Sequence, residues 1–449
     1  MRTVRDAGPY GCPPQGTAHF FYYISERNTT HMSFDFSHEL LELARQAEAQ
    51  AALRFAAIDE VAFANTRKVL SAFTNHRVSD TYFAGTTGYG YDDQGRDKLE
   101  EIYAEVFGAE AALVRTGFVN GSHALACGMF ACVSTGETML SVTGNVYDTL
   151  QTVTGQHGKL GGTFADYNIG FETVDMKDGL PDLDAIRVRA AQPHIKAVYI
   201  QRSRGYAIRH TLSIDEIAAV CKVVREVNPQ AVIMVDNCYG EFCDTREPTQ
   251  VGADLIAGSL IKNPGGGLAP TGGYIAGRKD LVERAAFRLT LPGIGGECGS
   301  TNGLNRSLYQ GFFMAPHITA QALKTAAFCS ALMGILGYDV SPVGDRAGLD
   351  IIHTVNFGAP EKLLAFCRGI QAGSPVDSYV TPEAWAMPGY DDPVVMAAGA
   401  FIQGSSIELS CDGPMRPPYA AFIQGGLTYE SGKLGILTAV QELLRLERR

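Results

Sequence analysis

Three short runs of this sequence bring together residues able to do chemistry. In Val235-Asp236-Asn237 an apolar run ends in a carboxylate. In Gly258-Ser259-Leu260-Ile261-Lys262 the next apolar run ends in a hydroxyl and, three residues on, a lysine. Lys262 is the only lysine between Lys222 and Lys279, and the glycine-rich Asn263-Pro264-Gly265-Gly266-Gly267 follows it. Successive glycines just past a strand suit a close backbone approach to something bulky. The third run, Gly117-Phe118-Val119-Asn120-Gly121-Ser122-His123, leaves a strand and opens a helix, so its free N–H groups and positive helix end suit a phosphate. A nucleotide loop is a rival for the Lys262 region, but G-x-x-x-x-G-K-[ST] is absent and this lysine precedes its glycines. At the start of the third run's helix, His123 reads as structural.

An amine, a carboxylate and a phosphate cradle together are what pyridoxal 5'-phosphate (PLP) requires. A lysine holds the aldehyde and shuttles a proton, a carboxylate keeps the pyridine nitrogen protonated, and a helix N-terminus holds the phosphate. Lys262 and Asp236 are the residues expected in the first two roles. Taken singly, an Asp at a strand end is a helix cap and a Lys after a strand a solvated charge; their order and spacing argue for more.

The elements that must position them alternate. Apolar runs at Ala111–Val114, Thr138–Ser141, Phe171–Val174, Ala197–Ile200, Ala231–Val235, Leu255–Ser259 and Gly273–Ala276 read as strands. Helical stretches such as Ser122–Cys132, Leu183–Ala191 and Ile214–Val227 lie between them. This predicts an α/β fold with a mostly parallel sheet, whose ligands bind past the strands' carboxyl ends. Upstream, Ser37–Phe73 and Arg96–Phe107 read as helices around a Gly- and Tyr-rich loop. Downstream, a helix over Ala315–Leu336, strands at Asp350–Val355 and Ser405–Leu409 and a helix over Lys433–Leu446 predict a smaller α+β unit. The expected division is an N-terminal arm and helices over 1–81, a large cofactor-binding domain over 82–314 and a small C-terminal domain over 315–449. Met1–His31 lacks periodicity and signal-peptide character and reads as an extended start.

Composition narrows the function. The chain has 449 residues, an apolar fraction of 46% and a charged fraction of 19%, as expected of a globular protein. A net charge of -11 with no basic run argues against nucleic acid and anionic membrane as partners. The apolar stretch Thr325–Leu336 has the length of a core helix, shorter than a membrane span. The pairs Cys127/Cys132 and Cys238/Cys243 lack the spacing of a zinc site and read as buried, reduced thiols, which fits a reducing cytoplasm; no metal is expected.

The run Ser259–Gly266, with Val235-Asp236-Asn237 before it, resembles fold-type I PLP enzymes of the cystathionine/methionine γ-lyase group. From about Tyr82 onward, some four fifths of the chain, the sequence is similar to the bacterial methionine γ-lyase-like or aluminium-resistance family. The tokens are Gly88-Tyr89-Gly90-Tyr91-Asp92-Asp93, Gly144-Asn145-Val146-Tyr147-Asp148-Thr149-Leu150, Gln201-Arg202-Ser203-Arg204-Gly205-Tyr206 and Gln424-Gly425-Gly426-Leu427-Thr428-Tyr429. The resemblance implies that Lys262 is the Schiff-base lysine and Asp236 the partner of the pyridine nitrogen. It implies phosphate contacts from Gly121, Ser122 and Ser259, a ring-stacking Tyr147 that assists the leaving group, and Tyr89 or Tyr91 reaching the phosphate of a neighbouring subunit. Arg416 is the candidate for a substrate carboxylate. The chain departs from characterised lyases at Gln201-Arg202-Ser203 and at Asp148. The implied activity is carbon–sulfur lysis of a sulfur amino acid by a homodimer or dimer of dimers. Alternatives are a cystathionine β-lyase or γ-synthase-like reaction, or a non-catalytic PLP-binding or metal-tolerance protein.

Overall fold

The structure, a computed structural model, describes residues 34–157, 161–207, 209–343, 348–386 and 392–448; the expected extended start at Met1–His31 lies outside them. Helix α1 (His38–Asn75) begins where the Ser37 hydroxyl accepts the Leu40 N–H, and it buries Leu40, Ala44, Ala47, Ala51, Ile58 and Val69 along one face. Helix α2 (Gln94–Phe107) is capped by Asp93 and stops at Gly108, whose φ of +63° suits glycine.

Next come β1 (Ala111–Arg115), α3 (Gly121–Cys132), β2 (Thr138–Ser141), α4 (Asp148–Gln151), β3 (Gly170–Thr173) and a ribbon of β4 (Met176–Lys177) with β5 (Leu180–Pro181). They are followed by α5 (Leu183–Ala190), β6 (Ile195–Gln201), α6 (Ile214–Val227), β7 (Val232–Asp236), β8 (Leu255–Ser259), β9 (Gly273–Gly277) and α7 (Lys279–Leu289). The sheet order is β1-β9-β8-β7-β6-β2-β3, with parallel pairing from β8 through β3 and β9 antiparallel to both neighbours. Both faces are covered. Val198, Ile200, Ile233 and Val235 join the layer of α2 and α6, while Ala197, Tyr199 and Met234 join that of α3 and α7. Two-sided burial is why these strands read as unbroken apolar runs.

Helix α8 (Asn305–Ile335) carries the chain to a second sheet. It begins ahead of the expected Ala315. Leu308, Tyr309 and Phe312 already pack as core, and Pro316, a residue that favours helix starts, sits inside the helix instead. Among the described residues, α8 is the one helix long and apolar enough to cross a membrane, and it is largely buried against the protein's own core. Then follow β10 (Asp339–Ser341), β11 (Ile352–Asn356), α9 (Pro360–Ala372), β12 (Val394–Ala398), β13 (Ser410–Pro414), β14 (Ala420–Gln424) and α10 (Tyr429–Glu447). The order is β10-β11-β14-β13-β12, all antiparallel. The strand expected at Ser405–Leu409 is a turn segment, and pairing starts at Ser410. The Glu408 carboxylate accepts the Phe401 and Ile402 N–H groups, which folds the 401–409 stretch back on itself before the ladder begins. One face of this sheet packs on α9 and α10; the other turns Ile352, Ala420 and Phe422 toward Tyr206 and Tyr239 of the first unit.

Candidate active site

Strands β6, β7 and β8 end side by side, with Gln201 opposite Asp236 and Asp236 opposite Ala257. Asp236 is buried; the Cys238 N–H (3.0 Å) and the Tyr199 hydroxyl (3.3 Å) donate to its two oxygens. Burial raises its pKa, opposed by the Lys262 charge. Lys262 follows β8 and leads into a single 3-10 turn, Asn263–Gly265. Burial alone would lower the pKa of its amine, but the acidic groups of Cys238, Tyr239 and Asp236 outweigh it and hold the amine above the ordinary range. Its Nζ stands 3.8 Å from the centroid of the Tyr239 ring.

The Lys262 turn rests backbone to backbone on α8. A Cβ on Gly266 would meet the Gly311 carbonyl oxygen at 2.3 Å, and one on Gly311 would meet the Gly265 oxygen at 2.3 Å. Within the run that had suggested close approach to a bulky group, Gly266 therefore answers to a helix, while a Cβ on Gly265 would meet the Leu260 carbonyl and one on Gly267 the Leu427 side chain.

At the start of α3 the Asn120 side chain accepts the His123 N–H at 2.9 Å. The Gly121 and Ser122 N–H groups have no acceptor among the described residues, leaving two donors at a positive helix end. Gly121 backs onto Ser259: a Cβ there would lie 2.9 Å from the Ser259 Cβ. The Ser122 hydroxyl meets that of Thr149 at 2.8 Å, tying α3 to the segment just after Tyr147. His123 accepts the Val119 N–H at Nδ1 (3.2 Å) and has its pKa lowered by burial and by Arg288, consistent with a neutral structural ring.

Tyr147 lies against the loop that follows β6. A Cβ on Gly205 would come 3.1 Å from its ring, and the Tyr206 ring is 6.4 Å away centroid to centroid. Tyr206 in turn packs edge-on to Phe422 and donates to Asp412, which also accepts from Gln424. The expected residues Asp236, Ser259, Lys262, Gly121, Ser122 and Tyr147 thus share one end of the sheet. Arg416 and the two upstream tyrosines do not join them. Arg416 sits on the turn between β13 and β14, half exposed, and pairs with Asp392 at 2.8 Å. Tyr89 and Tyr91 lie on the surface, 75% and 53% exposed, stacked on each other at 5.6 Å.

Two neighbours of Lys262 were not expected. Tyr239 is a non-glycine residue at φ +71°, a conformation costing roughly 1–2 kcal/mol. Glu241 is fully buried; its Oε1 accepts the Tyr274 hydroxyl at 2.8 Å, and burial pushes its pKa up to about 8. The signal for Tyr239 was its place in the loop that leaves Asp236. For Glu241 there was none, since its surroundings come from β8 and β9.

The arrangement suits PLP. Lys262 offers an amine, Asp236 a buried carboxylate, and Gly121 and Ser122 unpaired donors beside the Ser259 hydroxyl. A mixed sheet carrying such a cluster at its strand ends, followed by a smaller antiparallel sheet, is the fold of the fold-type I PLP-dependent enzymes. The PLP-dependent protein YhfS from Escherichia coli shares it at 18% identity, with a TM-score of 0.59 over 87% of this chain and 97% of that one. Within that class the chain belongs to the methionine gamma-lyase family, whose model matches residues 40–444. The family implies PLP as cofactor. The uncharacterized protein YnbB of Bacillus subtilis (strain 168) is 48% identical over 408 residues, 90% of this chain and 97% of that one. The solved carbon-sulfur lyase involved in aluminum resistance from Clostridium novyi NT is 50% identical, with a TM-score of 0.87 over 91% of this chain and 96% of that one.

Proposed function

We propose that this chain is a PLP-dependent carbon–sulfur lyase that releases a thiol from a sulfur amino acid, with its cofactor on Lys262. The observation that carries the reading is the buried Asp236 beside the Lys262 amine, at the strand ends that α3 faces through Gly121 and Ser259. The family and the carbon-sulfur lyase of Clostridium novyi NT support the same class of reaction.

Bound PLP supplies an electron sink for the charge left at the substrate's α-carbon. Lys262 would hold the cofactor and would take the substrate's α-proton at Nζ. Asp236 would keep a proton on the ring nitrogen. Gly121, Ser122 and Ser259 would hold the phosphate through N–H and hydroxyl donors. Tyr147 would assist departure of the sulfur. Arg416 is the proposed partner of the substrate carboxylate, a role that requires it to leave Asp392; an exposed pair of that kind costs at most about 1 kcal/mol to open. We place the protein in the cytoplasm.

Purified protein should be yellow, and borohydride should fix PLP to one peptide containing Lys262. It should release keto acid and thiol from at least one of methionine, cysteine and cystathionine, and Lys262→Ala should abolish turnover. A label on Lys279, or no label at all, overturns the assignment. Labelled protein that turns over none of the three substrates overturns the lyase reading alone.

A further inference from the structure

The loop leaving β7 puts an aromatic face directly on the Lys262 amine, and both ends of that face are fixed. On the backbone side, Asn263, the residue after Lys262, donates from Nδ2 to the carbonyls of Tyr239 (3.1 Å) and Glu241 (3.0 Å), so the tyrosine's turn and the lysine's turn form one unit. The Cys243 thiol donates to the same Tyr239 carbonyl at 3.4 Å. On the side-chain side, the Ser406 hydroxyl lies 3.4 Å from the phenol oxygen, and the ring packs at the Ile352–Phe422 face of the second sheet. A left-handed tyrosine carries a conformational cost, and this one is held at both ends, so the fold spends free energy on fixing the position of its ring.

We propose that Tyr239 is a positioning residue, the berth for the Lys262 amine whenever that amine is free of the cofactor, and that its ring face selects the protonated amine. The proposal rests on the assignment of PLP to Lys262. A ring face attracts an ammonium through its quadrupole and gains little from a neutral amine. The berth therefore retains the proton that Nζ takes from the substrate carbon until the proton is delivered onward. It also slows first attachment of the cofactor, because attack on the aldehyde needs the neutral amine.

The test adds PLP to cofactor-free full-length protein and follows growth of the visible band from pH 6 to pH 10, with no substrate present. Wild type should attach PLP faster as pH rises. Tyr239→Phe keeps the ring face but loses the phenol, which also favours the ammonium, so it should attach PLP faster than wild type by clearly less than the leucine variant does. Tyr239→Leu removes the face at the same backbone angle and should attach PLP roughly tenfold faster at every pH in that window. Should the leucine variant lose its native circular dichroism, a polyfluorinated phenylalanine at position 239 keeps the ring's shape, removes its negative face and should give the same gain in rate. Folded variants whose pH–rate profiles superimpose on wild type overturn the berth. Wild type that forms no band overturns the cofactor assignment beneath it, and that result is read before any variant is compared.

Discussion

Lys262 and Asp236 divide the work of one buried charge pair, so their substitutions should differ in kind. Asp236→Asn keeps the shape but cannot hold a proton on the cofactor's ring nitrogen; steady-state turnover should fall by several orders of magnitude with the fold intact. Near-normal turnover would make Asp236 a capping residue only. Glu241 gives a prediction in pH. Its carboxyl titrates near 8 in the fold, raised first by burial and further by Glu247, against about 4.5 when unfolded. Between those values the folded protein binds more protons than the unfolded chain, so stability falls as pH rises through the window, and this group's stabilising contribution is gone above 8. Urea midpoints at pH 5, 6.5 and 8 should decline in wild type. In Glu241→Gln, whose amide still accepts from Tyr274, that decline should shrink, with the variant ahead by a few kcal/mol at pH 8. Parallel pH profiles would assign the slope to other groups. Among these residues, Asp236 and Lys262 are legible in sequence because each closes an apolar run. Tyr239 is legible only as a position in the loop that leaves Asp236, because its role depends on where residues 262 and 406 come to lie.

At the scale of elements, α8 offers a matched pair of substitutions. Gly311→Ala drives a methyl against the carbonyl of Gly265 and should cost about 3 kcal/mol, read as a lower urea midpoint. Gly334→Ala, in the same helix with open space around it, should gain about 0.5–1 kcal/mol. If the two shifts match, the close seat is not a constraint. The large sheet is legible because two-sided burial writes long apolar runs. The second sheet is harder to read. Strand β13 contains Asp412-Gly413-Pro414, the composition of a turn, and becomes a strand only because β12 and β14 flank it. The start of α8 is hidden in the same way, since Asn305-Arg306-Ser307 has no apolar face and helicity there is set by the neighbours of Leu308 and Phe312.

For the whole molecule the prediction is assembly. Tyr89 and Tyr91 are a stacked aromatic pair on an exposed loop. We expect a dimer or dimer of dimers in which they reach the partner's phosphate cradle. Mixing Lys262→Ala with a Tyr89→Phe/Tyr91→Phe double variant should restore part of the activity, because a hybrid dimer regains one intact site. An active monomer by light scattering, or no rescue after verified subunit exchange, sinks that arrangement and leaves the cofactor assignment standing. One consequence of α8 concerns how the chain can diverge. The helix meets the lysine's turn through Gly311 and Gly266, where a Cβ on either glycine would come within 2.3 Å of a backbone carbonyl oxygen across the contact. Apolar core positions can drift by exchanging Val, Ile and Leu in small compensated steps. Contacts made of backbone offer no such intermediate, so a lineage derived from this chain can rework its strands freely while these few glycines stay as they are.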